Sequence, residues 1–337
     1  MAFFLNRLFK NIGIDLGTAN TIVYIYDKGY VVNEPSVIAF KNNSTVFSIG
    51  FEAKEMLGKT HRDIRVIRPM ADGVIADFTA GEAMLREFIK MAEVPSFMIN
   101  KIVIGVPTGI TSVEKKAVID SAVMAGARRV HLVSEPMAAA IGVGLNVLDS
   151  NANLIIDIGG GTTDIAVINY GGIVLDNTLR IASDEMNEAI VRFVKNRYHL
   201  RIGDITAEKI KIEHGIAHES MEEKTFTLKG IDYQTGLPRQ LVVSNKMFLE
   251  ALSGILNAIT NAIIATLDQL PPELAGDIID RGIVLTGGGS LLKGLDVRLR
   301  EILNIPVSRP GNALLCVAEG TRKILESFDT YEQILMS

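Results

Sequence analysis

The feature that most constrains this 337-residue chain is an internal echo. Residues 13–29 read GIDLGTANTIVYIYDKG, and residues 155–172 read IIDIGGGTTDIAVINYGG. Both run apolar residue, Asp, apolar residue, Gly, a small polar turn, an apolar strand and Gly again. Asp15 and Asp157 hold the same place in each. Self-similarity of this kind marks a duplicated structural unit. The expectation is two α/β halves of like design facing each other across a cleft, with no low-complexity linker between them.

The surrounding pattern alternates strands and helices, as an α/β fold requires. Residues 79–92 give a helical stripe of Met84, Leu85, Phe88, Ile89 and Met91/Ala92, and KIVIGVP is a buried strand. Residues 111–127 form a helix opened by a capping box from Thr111 to Glu114. Residues 130–145 read as strand, turn and helix. Further helices are expected near 186–198 and 206–214, strands near 224–243, and one long helix over about 245–269. GIVLTGGGSLLKGLDVRLREIL closes the pattern as strand, Gly loop and helix.

Composition excludes several classes. A net charge of -5 without a long basic run argues against nucleic acid as a partner. The single cysteine, Cys316, rules out an internal disulfide and fits a reducing compartment. His214 and His218 can share a helix face, but no third ligand is suggested, so no zinc site is expected. No apolar run reaches the roughly 20 residues a spanning helix needs. The opening MAFFLNRLFK also fails as a signal peptide: no basic stretch precedes its apolar part, Arg7 and Lys10 interrupt it, and no small-residue cleavage site follows. On a helical wheel Met1, Phe4, Leu5, Leu8 and Phe9 fall on one side and Asn6, Arg7, Lys10 and Asn11 on the other, with Phe3 off the stripe. That suits a short helix lying in a membrane interface, cations outward. The alternative is a helix tucked onto the chain's own core.

Each repeat places a Gly- and Thr-rich turn between two strands. Glycine lets the backbone approach closely, and successive N–H groups can then wrap phosphate oxygens. Thr18, Asn20, Thr162 and Thr163 add side-chain donors. Asp15 and Asp157 would repel phosphates themselves, so they make sense only with a divalent cation between; magnesium takes few carboxylates and keeps its waters. A third Gly loop, Thr286 to Ser290, can seat a base or ribose, or be a plain strand-to-helix turn. Thr206 reads as an N-cap. Glu208 and Lys211, one turn apart, offer a carboxylate for ribose hydroxyls or form a solvated salt bridge. Glu135 precedes Pro136 at a helix start. It can orient a water toward a γ-phosphate, or serve only as an acid favoured by the helix dipole.

Taken together, these motifs resemble the actin/sugar kinase/heat-shock chaperone ATPase superfamily. More narrowly, DLGTANT, NEPSV, IRPMADGVIADF, EPMAAAIG, DIGGGTTDIAV and VLTGGGSLL resemble the MreB family of bacterial actin homologues, from about Asn11 to Glu326. The resemblance implies an actin-like ATPase fold of two related α/β domains flanking a nucleotide cleft. It divides the chain into subdomain IA (1–32, 71–143 and 313–337), IB (33–70), IIA (144–181 and 245–312) and IIB (182–244). By the same resemblance ATP or ADP contacts Asp15, Gly17, Thr18, Ala19 and Asn20 of the first turn. From the second turn it meets Gly159, Gly160, Gly161, Thr162 and Thr163. Glu208, Lys209, Ile210 and Lys211, with Gly287, Gly288, Gly289, Ser290 and Leu291, bracket the adenosine. Asp15 and Asp157 hold hydrated Mg2+. Glu135, Thr162 and Asp157 form the catalytic set, Glu135 activating water and Thr162 sensing the γ-phosphate.

The resemblance also implies a slow, Mg-dependent ATPase coupled to polymerisation. The expected partners are the chain itself in paired protofilaments, lipid of the inner membrane face, and membrane proteins of the cell-wall elongation machinery. The protein is then cytoplasmic, peripheral on the cell membrane, and maintains rod shape. PSFMIN resembles the family's membrane loop, with Phe97 and Met98 as exposed candidates; the alternative is two core residues at a strand start. Two departures bear on turnover. Ser134 stands where the family often has Glu, and Ala182-Ser183 where Gly-Gly is common, so a β-carbon can crowd the nucleotide. Burying each large side chain yields roughly 1.5–3 kcal/mol against roughly 1–2 kcal/mol for ordering each residue. A single ten-residue anchor is therefore weak, and a filament presenting many copies binds by avidity. Two other classes fit less well: no chaperone-type substrate-binding domain follows, and no acceptor pocket with a base can be nominated for a sugar-type kinase.

Overall fold

The computed structural model describes residues 9–42 and 44–336. Two five-stranded sheets carry the fold. The first holds β1 (Lys10–Leu16), β2 (Asn20–Ile25), β3 (Gly29–Pro35), β4 (Ile99–Val106) and β5 (Arg129–Ser134), in the order β3-β2-β1-β4-β5. The second holds β6 (Asn153–Ile158), β7 (Thr163–Asn169), β8 (Gly172–Leu179), β9 (Ile283–Thr286) and β10 (Val307–Ser308), in the order β8-β7-β6-β9-β10. Three antiparallel strands followed by two parallel ones occur in both. The echo in the sequence is thus a repeated topology.

Local sequence explains the central strands. β6, NLIIDI, and the first six residues of β7, TDIAVI, are buried throughout. That is the pattern of strands covered on both faces. β8 lies at an edge and alternates exposed and half-buried positions over most of its length. Each sheet carries its own apolar core. A third cluster, including Val103, Ala138, Ile155, Ala166 and Ile324, joins them. It forms between the sheets and two helices, at residues 137–141 and 316–325.

Each sheet bears a smaller three-stranded one: Ile38–Lys41, Thr45–Ile49 and Ile64–Ile67 on the first, and Leu200–Arg201, Thr225–Asp232 and Pro238–Ser244 on the second. Five helices frame the site: α1 (Gly50–Met56), α2 (Glu135–Val143), α3 (Ser183–Tyr198), α4 (Asp204–His214) and α5 (Cys316–Glu326). α2 has Pro136 in its first turn and ends at Gly144 with φ 97°, where a residue with a side chain is disfavoured. α2 and α5 touch backbone to backbone: a Cβ at Gly142 would strike the Cys316 carbonyl, and one at Gly320 the Ala138 carbonyl.

The capping box at Thr111 and Glu114 is formed. Other expectations are corrected. Thr206 is no cap, because α4 begins two residues earlier behind an extended Gly203, with Asp204 at its dipole end. The long helix over 245–269 is two, Met247–Ala251 and Ser253–Leu267, interrupted at Leu252, where the Ser253 hydroxyl donates to the Glu250 carbonyl. In the helix Phe78–Met91, Met91 is exposed while Ala92 is buried. Among the described residues no helix is long and apolar enough to cross a membrane.

Candidate functional site

A cavity of about 340 Å³ opens between the two lobes, lined by both repeated turns. Asp15 is the penultimate residue of β1, between its cross-strand neighbour Ile22 and its parallel neighbour Gly105. Asp157 is likewise penultimate in β6, between Asp164 and Thr286. In the first turn the Thr18 hydroxyl accepts from the Gly73 N–H at 2.8 Å, and Ser36 donates to the Gly17 carbonyl at 2.6 Å. Two of the three consecutive glycines of the second turn are required by the facing lobe. A Cβ on Gly160 would sit 2.9 Å from the Ala19 nitrogen, and one on Gly161 2.8 Å from the Asp72 nitrogen.

One end of the cavity is acidic. Asp15 and Asp157 are both pushed up to about 7, Asp15 by burial and then by Asp157, Asp157 by burial and then by Asp164 against a hydrogen bond from Thr286. That bond, Thr286 Oγ1 to Asp157 Oδ1, is 2.9 Å. Burial, then Asp164, Asp157 and Asp15, hold the Glu135 carboxyl well above its usual range. Gly105 makes the room: a Cβ there would meet Val317 at 2.8 Å and the Glu135 side chain at 3.6 Å. Among the described residues no three His, Cys, Asp or Glu side chains cluster as a metal site. Two enclosed carboxylates, Asp157 buried and Asp15 half-buried, whose charges repel each other suit a cation that keeps its water ligands and takes few carboxylates. Magnesium fits that donor set.

Toward the other end, Lys211 donates to the Ser183 carbonyl at 2.8 Å, and burial lowers its ammonium to about 8. Glu208 does not pair with it. It meets Lys54 of α1 across the cleft at 2.7 Å. Arg68–Asp184 at 2.6 Å and Arg180–Asp72 at 3.5 Å are further bridges between the lobes.

Of the residues nominated from sequence, Asp15, Gly17, Thr18, Ala19, Asn20, Glu135, Asp157, Gly159, Gly160, Thr162, Glu208, Lys211, Gly287, Gly288, Gly289 and Leu291 line the cavity. Others turn away. The Thr163 hydroxyl donates to the Ile181 carbonyl, Ser290 donates to the Gly287 carbonyl, Ile210 lies in the second core, and Lys209 reaches Glu213 in solvent. Gly161 faces the Asp72–Gly73 turn. Sequence reasoning missed Asn33, Gly73, Met186, Gly215 and Lys293, which also line the cavity. Of these only the Asp-Gly turn at Gly73 carried a local signal. Ala182 does not crowd the cavity, because its β-carbon is buried in the second core; Ser183 lines the wall. His214 stacks on Phe226 at 4.2 Å, and His218 bonds Glu301 at 2.9 Å.

The surface candidates separate. Phe97 is 68% exposed, while Met98 is half-buried against the first core. The Arg128 guanidinium lies 4.3 Å over the Phe9 ring and donates to the Phe97 carbonyl. Phe9 and Phe97 therefore share one surface spot. Phe3, Phe4, Leu5 and Leu8 lie outside the described residues.

Comparison with known proteins agrees with the geometry. Residues 9–333 match the family described as MreB/Mbl protein. The cell shape-determining protein MreB of Escherichia coli strain K12 is 45% identical, covering 98% of this chain and 97% of its own length. Mbl of Bacillus subtilis strain 168, also named cell shape-determining, is 44% identical over 95% and 97%. MreB5 of Spiroplasma citri bound to ADP superposes with a TM-score of 0.91 at 34% identity, covering 96% of this chain and 98% of that one. A MamK double helical filament, 23% identical with a TM-score of 0.80, shares the fold.

Proposed function

Since the chain belongs to the MreB/Mbl family, we propose that it is an actin-like ATPase that polymerises on the inner face of the cell membrane and organises cell-wall synthesis to maintain rod shape. The observation that carries this reading is the cavity shared by two matched turns, with Glu135 in its wall. The Spiroplasma citri relative was solved with ADP and with AMPPNP, which supports a nucleotide in the same cleft. The division into subdomains IA, IB, IIA and IIB given above is part of the reading.

In this mechanism the backbone N–H groups of Gly17–Asn20 and Gly159–Thr162 wrap the phosphates of ATP. Glu208, Lys211 and the Gly287–Leu291 loop hold the adenosine. Asp15 and Asp157 would hold hydrated magnesium, which when bound neutralises charge on the phosphate oxygens. Thr162 reads the γ-phosphate. Glu135 takes a proton from the attacking water; burial and the neighbouring Asp164, Asp157 and Asp15 raise its carboxyl, which makes its carboxylate a stronger base. The Ser134 hydroxyl adds no charge beside it. ATP and water yield ADP and phosphate, slowly, and the nucleotide state sets the stability of paired protofilaments.

The surface spot of Phe9 and Phe97 supports membrane attachment. Together with Phe3, Phe4, Leu5 and Leu8 they form a weak anchor that a filament multiplies. Lipid and membrane proteins of the elongation machinery are the partners, and the protein is cytoplasmic and peripheral. The expected result for Glu135→Ala is retained ATP binding with hydrolysis reduced about 100-fold or more. Phosphate release equal to the unaltered chain would remove Glu135 from the mechanism.

A further inference from the structure

Asp164 is fully buried on β7 and belongs to no function assigned above. One of its oxygens is fully occupied. Oδ1 accepts from the Thr108 N–H at 3.2 Å, the Thr108 hydroxyl at 3.2 Å and the Thr178 hydroxyl at 2.7 Å. Oδ2 is buried and has no hydrogen-bond partner. An idle buried carboxylate oxygen is costly, the more so beside other acids. Burial raises the Asp164 carboxyl, with the hydroxyls of Thr178, Thr162 and Thr108 standing beside it.

The chain path places this carboxyl between the two lobes' contributions to the reaction. Val106 of β4 pairs with Ser134 of β5, the residue before Glu135. Thr108 follows two residues later and docks on Asp164 across the cleft, while the Gly109 N–H donates to Thr178 at 3.2 Å. On the other side, Asp164 is two residues from Thr162. Three donors fix Oδ1, so Oδ2 is the oxygen left for the Thr162 hydroxyl.

Resting on the ATPase reading, we propose that Asp164 is a positioning residue: Oδ1 pins the Thr108 loop of the first lobe, and Oδ2 is the acceptor that holds the Thr162 hydroxyl so that its lone pairs accept from the attacking water. The Thr162 hydroxyl then points its hydrogen at Asp164 and its lone pairs at the reacting end of the cavity. An amide at position 164 would keep the pin, because its oxygen must stay with the three donors. Its NH2 would face Thr162 and reverse that hydrogen bond.

Steady-state phosphate release from the full chain tests this. Asp164→Asn is expected to lower kcat at least about tenfold with KM for ATP within about twofold, the pattern of an interaction made only in the transition state. In a Thr162→Val background the same change should add almost nothing, since the group it acts through is gone. An unchanged kcat in Asp164→Asn, or its full loss recurring in the Thr162→Val background, would overturn the proposal. Should Asp164→Asn not fold, Thr178→Val decides: freeing the carboxyl to rotate should lower kcat about threefold at constant KM, and an unchanged kcat counts against the role. Failure of the unaltered chain to release phosphate would fall on the ATPase reading and take this role with it. An active chain with unaffected variants would remove Asp164 alone.

Discussion

The two turns share a strand frame but differ in what surrounds them. Asp15 lies between an isoleucine and a glycine, and its turn is held from behind by Ser36 and by the Thr18–Gly73 bond. Asp157 lies between an aspartate and a threonine that bonds it, and its turn is bare glycine pressed against the first. A duplicated unit has thus divided its labour. The first turn is a braced wall. The second is a glycine surface packed on that wall and followed by the buried polar residues Thr162 and Asp164. Glycine at 160 and 161 is required by the neighbouring lobe, whereas Gly159 meets only Thr162 of its own turn.

The sharpest way to break this comparison is to fill the second turn. Gly160→Val drives a side chain into the Ala19 backbone. Overpacking of this kind costs about 1–3 kcal/mol, so nucleotide affinity should fall up to about 100-fold in a fluorescent-ATP titration. Gly159→Ala, whose nearest neighbour is 3.3 Å away, should cost much less. Equal losses at the two positions would mean that the turns do not close on each other.

Next in size is the pair of aspartates. Asp157→Ala should weaken nucleotide binding about tenfold with magnesium present and little in EDTA. Asp15→Ala should behave alike in direction. A loss that persists undiminished in EDTA would place the effect on folding instead of on the cation.

Acidity offers a third handle. Both aspartates are raised from 3.8 to about 7 in the folded chain. An acid so raised binds protons more tightly when folded, so stability falls as pH rises from about 4 to about 7, and the penalty is complete above that. The melting temperature of the nucleotide-free chain should therefore drop between pH 5 and pH 8. Adding magnesium and ATP should flatten that drop. A melting temperature that rises over the same interval would contradict the cause assigned to the shifts.

Smallest is the rim. Lys54→Met removes the partially exposed bridge to Glu208, and such pairs contribute about 0–1 kcal/mol. Nucleotide release should quicken less than about threefold, measured by stopped flow. A change above tenfold would move the Lys54–Glu208 pair from rim to latch.

Much of this was legible in sequence because close backbone approach and phosphate contact restrict residue choice. Two Asp-x-Gly turns with identical spacing announce a duplicated frame, and Glu135 before Pro136 announces a helix start with a freed carboxylate. What stayed hidden depends on contacts across the cleft. Nothing local in TAEKIK says that Glu208 will leave Lys211 for Lys54, or that Met98 will pack inward while Phe97 stays out. Asp164 is the clearest case. In sequence it is one more polar residue at the start of a strand; its meaning appears only when Thr108 of the other lobe arrives on it.

The proposed polymer depends on a nucleotide that draws the two turns together. Electron microscopy of the full chain with magnesium and ATP on liposomes, paired with sedimentation, tests that most directly. The expected result is paired filaments lying on the lipid that diminish when nucleotide is withheld. Monodisperse protein across varied salt, nucleotide and lipid would contradict it.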